Sequence, residues 1–287
     1  MIDARYFEPT TVDEACQVLS EYGREAMIVA GGQSAMLRLR SRLLSPQALV
    51  NVLKVTGLDG IAVNNGTGLT LGALVTLRDV ERSPLVQQRC PALHEAVTTV
   101  SDVQVRNAAT VGGHLGTAHP ASDILPVLIA LNATVTARHV GGSRTIAVES
   151  FIADAFRTTL EPNELITQVD IPPQPARSGS GYARFSLRDG DFPIVGAAAT
   201  VTVGEDGVCR EARLVLTSVG PTPVRAAVAE QRLVGSALNE ETIRAAARLA
   251  SEEVNPLGEV MASADYEKHL VGVLARYALQ KAAERAV

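Results

Sequence analysis

Residues 28–34 read Ile-Val-Ala-Gly-Gly-Gln-Ser, and residues 109–115 read Ala-Thr-Val-Gly-Gly-His-Leu. In each stretch a glycine pair follows a short apolar run of the kind that forms a buried strand. Glycine has no Cβ, so the backbone N–H groups of such a turn can converge on an anion. Two turns of this kind predict one ligand with two phosphates, held between them.

The residues around the first glycine pair predict a strand, a turn and a helix. Residues 26–30 read as a buried strand, residues 36–43 start a helix, and residues 48–53 read as a second strand parallel to the first. The N-terminus of that helix would add its dipole to an anion site. Upstream, Thr11-Val12-Asp13-Glu14 is a capping box that opens a first helix, which stops at Gly23.

The second glycine pair lies in residues 105–122, where glycine and proline predict irregular backbone. A helix capped by Ser122 or Asp123 follows over residues 123–131. A further helix is predicted over residues 92–100, and strands near residues 69–73, 134–137, 145–148 and 165–171.

Residues 172–181, Pro-Pro-Gln-Pro-Ala-Arg-Ser-Gly-Ser-Gly, form the clearest boundary in the chain, because proline and glycine interrupt helices and central strands. We therefore expect two domains, residues 1–175 and 176–287. The second contains strands near residues 194–203 and 212–219 and alanine-rich amphipathic helices near residues 240–253 and 266–284. This order predicts a small antiparallel sheet packed on helices, and an α+β fold for the whole chain.

Composition excludes several classes of function. The 287 residues contain 26 Lys and Arg against 31 Asp and Glu, a net charge of −5, which disfavours binding to nucleic acid or anionic membranes. The opening residues lack the features of a signal peptide and no apolar run approaches membrane-spanning length, so we expect a cytoplasmic protein. Cys16, Cys90 and Cys209 are too scattered to predict a disulfide framework or a cysteine-ligated cluster.

The common motifs of catalysis and nucleotide binding are also missing from the sequence. It has no Gly-x-Gly-x-x-Gly, Walker A, Gly-x-Ser-x-Gly or His-Glu-x-x-His pattern, and no residue stands out as a nucleophile. His114, His119 and Asp123 suggest a metal site by their spacing, but the glycine and proline between them break the helical register that would bring them together.

Many segments, in order, resemble the FAD-binding medium subunit of the molybdenum hydroxylases, the family that includes xanthine dehydrogenase and the aerobic carbon monoxide dehydrogenases. They are residues 30–34, 71–76, 105–113, 117–126, 164–166, 190–195, 220–226 and 266–279. The resemblance implies a two-part FAD-binding domain of the type shared with vanillyl-alcohol oxidase-like flavoproteins, with subdomains at about residues 1–56 and 57–175. It also implies a C-terminal domain of the carbon monoxide dehydrogenase flavoprotein type.

The resemblance further implies how FAD is held. Backbone N–H groups of residues 31–34 and 112–115 would bind the pyrophosphate, with the Ser34 and Thr110 hydroxyls as further donors. Asp123 would accept from a ribityl or ribose hydroxyl, and Leu165 and Phe192 would lie beside the isoalloxazine. The expected FAD-binding residues are Ala30, Gly31, Gly32, Gln33, Ser34, Ala35, Thr110, Val111, Gly112, Gly113, His114, Leu115, Thr117, Asp123, Leu165 and Phe192.

Some of these residues have simpler readings. Without the resemblance, Asp123 is more often a plain helix N-cap, and Phe192 is more often a core residue. His114 stands where the family more often has Asn or Ser, and His119 where it often has Asp or Ser. A protonated imidazole would strengthen anion or flavin binding, and a neutral surface histidine explains these residues equally well.

The function implied by the resemblance is electron transfer, with no catalytic residue and no metal on this chain. A large subunit would hydroxylate the substrate at molybdopterin, a small subunit would carry [2Fe-2S] clusters, and FAD would pass the electrons to NAD or another acceptor. The assembly would be a heterotrimer or a dimer of heterotrimers. Two alternatives stay open: a self-sufficient FAD oxidoreductase of the same fold, and a non-enzymatic nucleotide-binding regulator.

Overall fold

The computed structural model describes residues 4–64 and 66–286, which contain fourteen strands and twelve α-helices. The strands are β1 Arg5–Phe7, β2 Ala26–Val29, β3 Ala48–Asn51, β4 Ile61–Asn64, β5 Gly68–Gly72, β6 Thr134–His139, β7 Gly142–Ala147, β8 Ile152–Asp154, β9 Arg157–Thr158, β10 Leu165–Ile171, β11 Ser178–Phe185, β12 Val195–Val203, β13 Cys209–Thr217 and β14 Val224–Arg225. The helices are α1 Val12–Tyr22, α2 Ala35–Arg40, α3 Leu77–Arg82, α4 Pro84–Arg89, α5 Pro91–Thr98, α6 Val103–Ala108, α7 Val111–Thr117, α8 Ile124–Ala130, α9 Val148–Phe151, α10 Ala227–Leu233, α11 Glu240–Glu252 and α12 Ala264–Arg285.

A three-stranded parallel sheet in the order β1-β3-β2 begins the fold. The predicted capping box opens α1: the Thr11 hydroxyl accepts from the Glu14 N–H at 3.2 Å, and the Glu14 carboxylate accepts from the Thr11 N–H at 3.2 Å. The apolar side of α1, with Leu19 at its centre, packs in the core of this sheet. The strand, turn and helix predicted around the first glycine pair are all confirmed.

A five-stranded antiparallel sheet in the order β4-β5-β10-β6-β7 follows. Helices α3 to α8 pack against it in a second core, where Phe151, Leu115 and Leu128 are among the buried side chains. The third sheet, β11-β12-β13-β14, is antiparallel and has apolar residues on both faces. Ala198 of β12 faces the second core, whereas its neighbours Ala197 and Ala199 face a third core formed with α10, α11 and α12.

Two predictions from glycine content are wrong. Residues 105–122 contain α6 and α7 rather than irregular backbone. The glycine-serine half of the predicted boundary, from Ser178, belongs to β11. There, a Cβ at Gly179 would lie 2.1 Å from the Ala282 carbonyl oxygen, so the glycine permits close packing of β11 on α12 and does not mark a linker.

The α+β prediction is confirmed by this arrangement of sheets and helices. No helix within the described residues combines the length and the apolar character needed to cross a membrane. The opening residues Met1, Ile2 and Asp3, used in the signal-peptide prediction, lie outside the described part of the chain.

Candidate functional site

A cleft of about 660 Å³ opens where the parallel sheet, α7, β10 and the loop before β12 meet. Its volume is within the range of small-molecule and cofactor sites. One wall begins directly after β2, at the carboxyl end of the parallel sheet, which is the edge where open sheets of this kind bind ligands. Most of the residues expected to bind FAD line this cleft: Ala30, Gly31, Gly32, Gln33, Ser34, Ala35, Thr110, Gly112, Gly113, His114, Thr117, Asp123, Leu165 and Phe192.

The other two expected residues lie elsewhere. Val111 and Leu115 are 3% and 0% exposed and are buried in the core around β5. They alternate with the cleft residues because α7 turns one side to the cleft and the other to the core. Their apolar side chains do not line the cleft; they pack in the core and anchor the helix that carries the second glycine pair.

The first turn presents a row of open backbone donors. The N–H groups of Gly31, Gly32, Gln33, Ser34 and Ala35 have no acceptor anywhere in residues 4–64 and 66–286. Gly32 has φ +70°, a conformation that favours glycine. Successive N–H groups that converge without a partner form an anion-binding concavity, so this turn fits the phosphate role that its sequence predicts.

In the second turn, most of the backbone N–H groups that the sequence predicts to hold phosphate are already engaged inside the protein. Gly112 donates to Ala73 O at 2.8 Å, Gly113 to Thr110 Oγ1 at 3.1 Å and His114 to Thr110 O at 2.8 Å, and the preceding Val111 donates to Val75 O at 2.9 Å. The turn is the first turn of α7, capped by Thr110 and docked on the chain after β5. A Cβ at Gly112 would lie 2.8 Å from Ala73 Cβ, so this glycine permits the docking.

The structure brings the two turns together. A Cβ at Gly31 would lie 1.7 Å from the Ala108 carbonyl oxygen, at the end of α6, and a Cβ at Gly113 would lie 3.9 Å from Ala30 Cβ. The first turn therefore rests on the backbone that leads into the second. Two side chains brace the turns from within: Gln33 Nε2 donates to Gly31 O at 3.2 Å, and Thr117 Oγ1 donates to Gly113 O at 2.8 Å.

Asp123 lies at the bottom of the cleft and joins the two halves of the chain. Ser122 caps α8, its hydroxyl accepting from the N–H groups of Ile124 and Leu125, so Asp123 is not the capping side chain. The Tyr182 hydroxyl donates to Asp123 Oδ1 at 2.6 Å, and Arg184 Nη1 lies 3.3 Å from the carboxylate. Burial raises the pKa of Asp123 to about 6, outweighing the opposite effects of Arg184 and Tyr182.

Arg184 also holds the loop that carries Phe192. Its guanidinium donates to Thr99 O at 2.8 Å and to the carbonyl oxygen of Asp191, besides its contact with Asp123. One buried cation on β11 therefore connects the loop before β12 to α5 and α8. The role of Arg184 is not predictable from the sequence, because an arginine in a strand carries no signal of its distant partners.

An aromatic cluster lines the outer part of the cleft. The rings of Phe192 and His119 stack with centroids 4.1 Å apart and an angle of 3° between their planes, and Phe156 meets His119 edge-on at 5.0 Å. Phe192 is 60% exposed, so its reading as a core residue is wrong. Leu165, by contrast, is 3% exposed and packs in the core under the parallel sheet while one side borders the cleft.

The two histidines are not cationic donors. Burial, with a smaller effect from His119, lowers the pKa of His114 to about 4, and burial, with Arg38, also lowers the pKa of His119. His119 Nδ1 accepts from the Ala121 N–H at 3.1 Å. At neutral pH the imidazole of His114 is therefore neutral, which decides the alternative that the sequence leaves open.

Family models match nearly the whole chain. Residues 2–174 match the FAD binding domain in molybdopterin dehydrogenase, and residues 180–282 match the CO dehydrogenase flavoprotein C-terminal domain. The chain belongs to the FAD-binding medium subunits of the molybdenum hydroxylases. Its N-terminal part is an FAD-binding domain, and the chain is a subunit of an oxidoreductase.

Relatives of this medium subunit act on different compounds. The chain is 36% identical to the 6-hydroxypseudooxynicotine dehydrogenase complex subunit alpha of Paenarthrobacter nicotinovorans, over 98% of this chain and 95% of that one. A solved carbon monoxide dehydrogenase from Hydrogenophaga pseudoflava that lacks the Mo-pyranopterin moiety has a TM-score of 0.93 and 32% identity, with 98% of each chain covered. Quinoline 2-oxidoreductase from Pseudomonas putida 86 has a TM-score of 0.91 and 30% identity, over 99% of this chain and 98% of that one.

The side chains that could ligate a metal are dispersed within residues 4–64 and 66–286. No group of three or more His, Cys, Asp or Glu side chains there could hold a metal ion, so the site suggested by His114, His119 and Asp123 is not formed. Cys16, Cys90 and Cys209 are buried free thiols, and burial raises the pKa of each, which keeps them protonated.

Proposed function

We propose that this medium subunit is an electron relay. In this relay, a molybdopterin centre on a large partner subunit supplies electrons to [2Fe-2S] clusters on a small partner subunit. The medium subunit holds the FAD that accepts these electrons and passes them to NAD or another acceptor. When bound, FAD supplies the one- and two-electron chemistry of such a relay. The proposed assembly is a heterotrimer or a dimer of heterotrimers, in the cytoplasm, where unpaired thiols such as Cys16, Cys90 and Cys209 persist.

The open donors of the first turn carry this proposal. Five backbone N–H groups without an acceptor in residues 4–64 and 66–286 face a cleft that also has apolar and aromatic walls. Successive backbone N–H groups that face one cleft form an anion-binding concavity, so such a row fits a site that a ligand completes. An anion with an extended aromatic system, which is the description of FAD, matches both the donors and the walls.

We assign the chain's own residues the following roles. The N–H groups of Gly31 to Ala35 hold the pyrophosphate. In the second turn, Gly112 lets α7 dock on the chain after β5, and Gly113 leaves the side of α7 that faces the first turn free of a side chain. The hydroxyl of Thr110 accepts from Gly113, but its hydrogen is still available to a phosphate oxygen. Asp123 accepts from a hydroxyl of the ligand with its remaining lone pairs, while Leu165 and Phe192 border the isoalloxazine.

The domain division belongs to this proposal as well. We assign the FAD-binding domain to residues 1–175, with subdomains meeting near residue 56. Residues 176–287 form the domain that supports the site and supplies Phe192. The contacts of Tyr182 and Arg184 with Asp123 support that role, because they connect the C-terminal sheet to the bottom of the cleft.

Anaerobic spectroscopy on two preparations tests the relay. The chain loaded with FAD by itself, and its complex purified with native partners, are each mixed with heteroaromatic, aldehyde and carbon monoxide substrates. We expect the flavin absorbance of the isolated chain to stay unchanged. The complex should contain molybdenum and iron. One of the substrates should reduce the flavin of the complex and so bleach its absorbance.

Bleaching of the flavin in the isolated chain would contradict the relay and favour a self-sufficient FAD oxidoreductase. A chain that binds phosphate but shows no flavin absorbance, alone or in its complex, would instead favour a nucleotide-binding regulator. The final acceptor is identified by adding NAD, quinone and oxygen in turn to the substrate-reduced complex.

A further inference from the structure

The hydroxyl of Ser122 lies among three nitrogen atoms. It accepts hydrogen bonds from the backbone N–H groups of Ile124 at 3.3 Å and Leu125 at 3.1 Å, as the cap of α8. Its third neighbour is His114 Nε2 at 2.7 Å. A serine hydroxyl has two lone pairs and one hydrogen, so two backbone donors occupy both of its acceptor positions.

The third contact therefore has a defined direction. With both lone pairs in use, the Ser122 hydroxyl has its hydrogen left to offer, and it donates to His114 Nε2. Nε2 must then be the unprotonated nitrogen of the imidazole. Because the bond at one ring nitrogen sets the state of the other, the proton of a neutral ring lies on Nδ1.

The surroundings of His114 keep its imidazole neutral and leave Nδ1 without a partner in the protein. His114 lies deep in the cleft, and burial, together with the nearby His119, lowers its pKa to about 4. The closest carboxylate along the chain, Asp123, is engaged by Tyr182 and Arg184. His114 Nδ1 has no hydrogen-bond partner among residues 4–64 and 66–286, although His114 lines the cleft.

We propose that Ser122 holds His114 as the Nδ1–H tautomer, and that this N–H is a positioned donor for an acceptor atom of the bound cofactor. The second half of this inference rests on the proposed FAD site, whereas the first half does not. Water favours the other tautomer, in which Nε2 carries the hydrogen. The cap of α8 thus selects the less common form and presents a donor in a part of the second turn whose backbone N–H groups are already used.

Nitrogen-15 NMR of the full chain with labelled histidine tests the tautomer without any cofactor. His114→Asn assigns the signal. We expect Nδ1 to carry the proton from pH 6 to pH 8, with Nε2 as the unprotonated nitrogen. Ser122→Thr, which keeps the hydroxyl, should preserve this pattern, and Ser122→Ala should shift the ring towards the Nε2–H form.

Either an Nε2–H ring or an imidazolium at pH 7 in the unmodified chain would overturn the first half of the inference. If Ser122→Ala fails to fold, comparison of the unmodified chain with Ser122→Thr still decides it, because the tautomer is read directly in both.

FAD titration, followed by flavin fluorescence, tests the second half. His114→Asn retains an N–H donor and His114→Leu does not, so we expect the dissociation constant to rise about tenfold for Leu and much less for Asn. FAD should also shift the Nδ1 resonance. Equal affinity for the Leu variant, with an unmoved resonance, would overturn this half. If FAD does not bind the unmodified chain or its complex, the proposed function and this half both fail, and the Ser122 tautomer is decided separately by NMR.

Discussion

Gly31 and Gly32 are adjacent but have different reasons to be glycine. At Gly31 a Cβ would overlap the Ala108 carbonyl, 1.7 Å away, so the residue is needed for the packing of one turn on the other. At Gly32 a Cβ would lie 3.3 Å from Met36 Cγ, which a small shift of that flexible side chain relieves, but φ is +70°. Gly32 is thus needed for the backbone shape that turns its neighbours' N–H groups towards the cleft.

Replacement of Gly32 separates ligand binding from stability. Gly32→Ala should lower the free energy of unfolding by about 1 kcal/mol because of its positive φ. Gly207→Ala is a matched control, since Gly207 has φ +75° with no atom within 4 Å of the added Cβ, and it lies outside the cleft. Chemical denaturation should give similar losses for both variants. FAD titration should show weaker binding, by about tenfold, for Gly32→Ala alone.

Asp123 predicts a specific dependence of stability on pH. Its pKa in the folded chain, about 6, lies above the ordinary value of 3.8 because of burial. The raised pKa means that folding favours the protonated carboxyl, so its contribution is complete below about pH 4 and is lost as the pH rises through about 6. Between pH 4 and 7, the free energy of unfolding should fall by about 1–3 kcal/mol more for the unmodified chain than for Asp123→Asn.

Asp206 provides the control of opposite sign for that measurement. Its pKa is lowered, chiefly by the hydrogen bond from the Val208 N–H, so it contributes stability above its ordinary pKa and loses it as the pH falls. Asp206→Asn should therefore change the pH dependence in the other direction. Parallel curves for the unmodified chain and Asp123→Asn would contradict the raised pKa of Asp123.

At the scale of elements, two similar sequences form two different structures. The first glycine pair lies between β2 and α2 and leaves five backbone donors open, within the described chain. The second pair lies inside α7. There, the Thr110 cap and carbonyl oxygens of the chain after β5 accept hydrogen bonds from the backbone N–H groups. Similar residues therefore contribute open N–H groups in one case and close backbone packing in the other.

Hydrogen exchange measured by mass spectrometry distinguishes the two turns. FAD should slow exchange strongly in peptides that cover residues 30–36, because their open N–H groups gain an acceptor. Peptides that cover residues 111–114 should already be protected without FAD and change little. Equal protection of both segments by FAD would contradict the distinction. A peptide within α11, far from the cleft, reports global stabilisation by the ligand.

At the scale of the whole molecule, Arg184 connects the C-terminal sheet with the cleft. Its side chain is 9% exposed, and the Asp123 side chain that it contacts is 5% exposed. Loss of one partner from a buried pair leaves the other charge uncompensated, which costs far more than loss of a surface pair. The same guanidinium bonds the Asp191 carbonyl and so restrains the loop that carries Phe192.

Substitution of Arg184 should therefore change both stability and loop order. Arg184→Ala should lower the free energy of unfolding by about 3–5 kcal/mol. Arg248→Ala, which removes an exposed ion pair with Glu252, should cost less than about 1 kcal/mol. Denaturation measures both, and limited proteolysis should show cleavage within residues 186–194 in Arg184→Ala alone. An intact loop with bound FAD in that variant would show that other contacts hold Phe192.

The amino-acid sequence by itself determined the local features of this protein. The capping box of α1, the parallel strands around the first turn and the α+β order follow from periodicity, caps and glycine pairs, which are properties of neighbouring residues. The order of motifs also identified the family, because each motif is a short segment with its own backbone requirement.

Tertiary structure alone decided how the site is assembled. Glycine content predicted irregular backbone at residues 105–122 and a domain boundary over residues 172–181, but contacts with distant segments place α6 and α7 in the first stretch and begin β11 at Ser178 in the second. The occupied donors of the second turn, the pairing of Asp123 with Arg184 and the orientation of His114 likewise depend on partners elsewhere in the chain. A hydrogen bond or a close approach is a property of two positions in space, and their separation along the chain does not encode it.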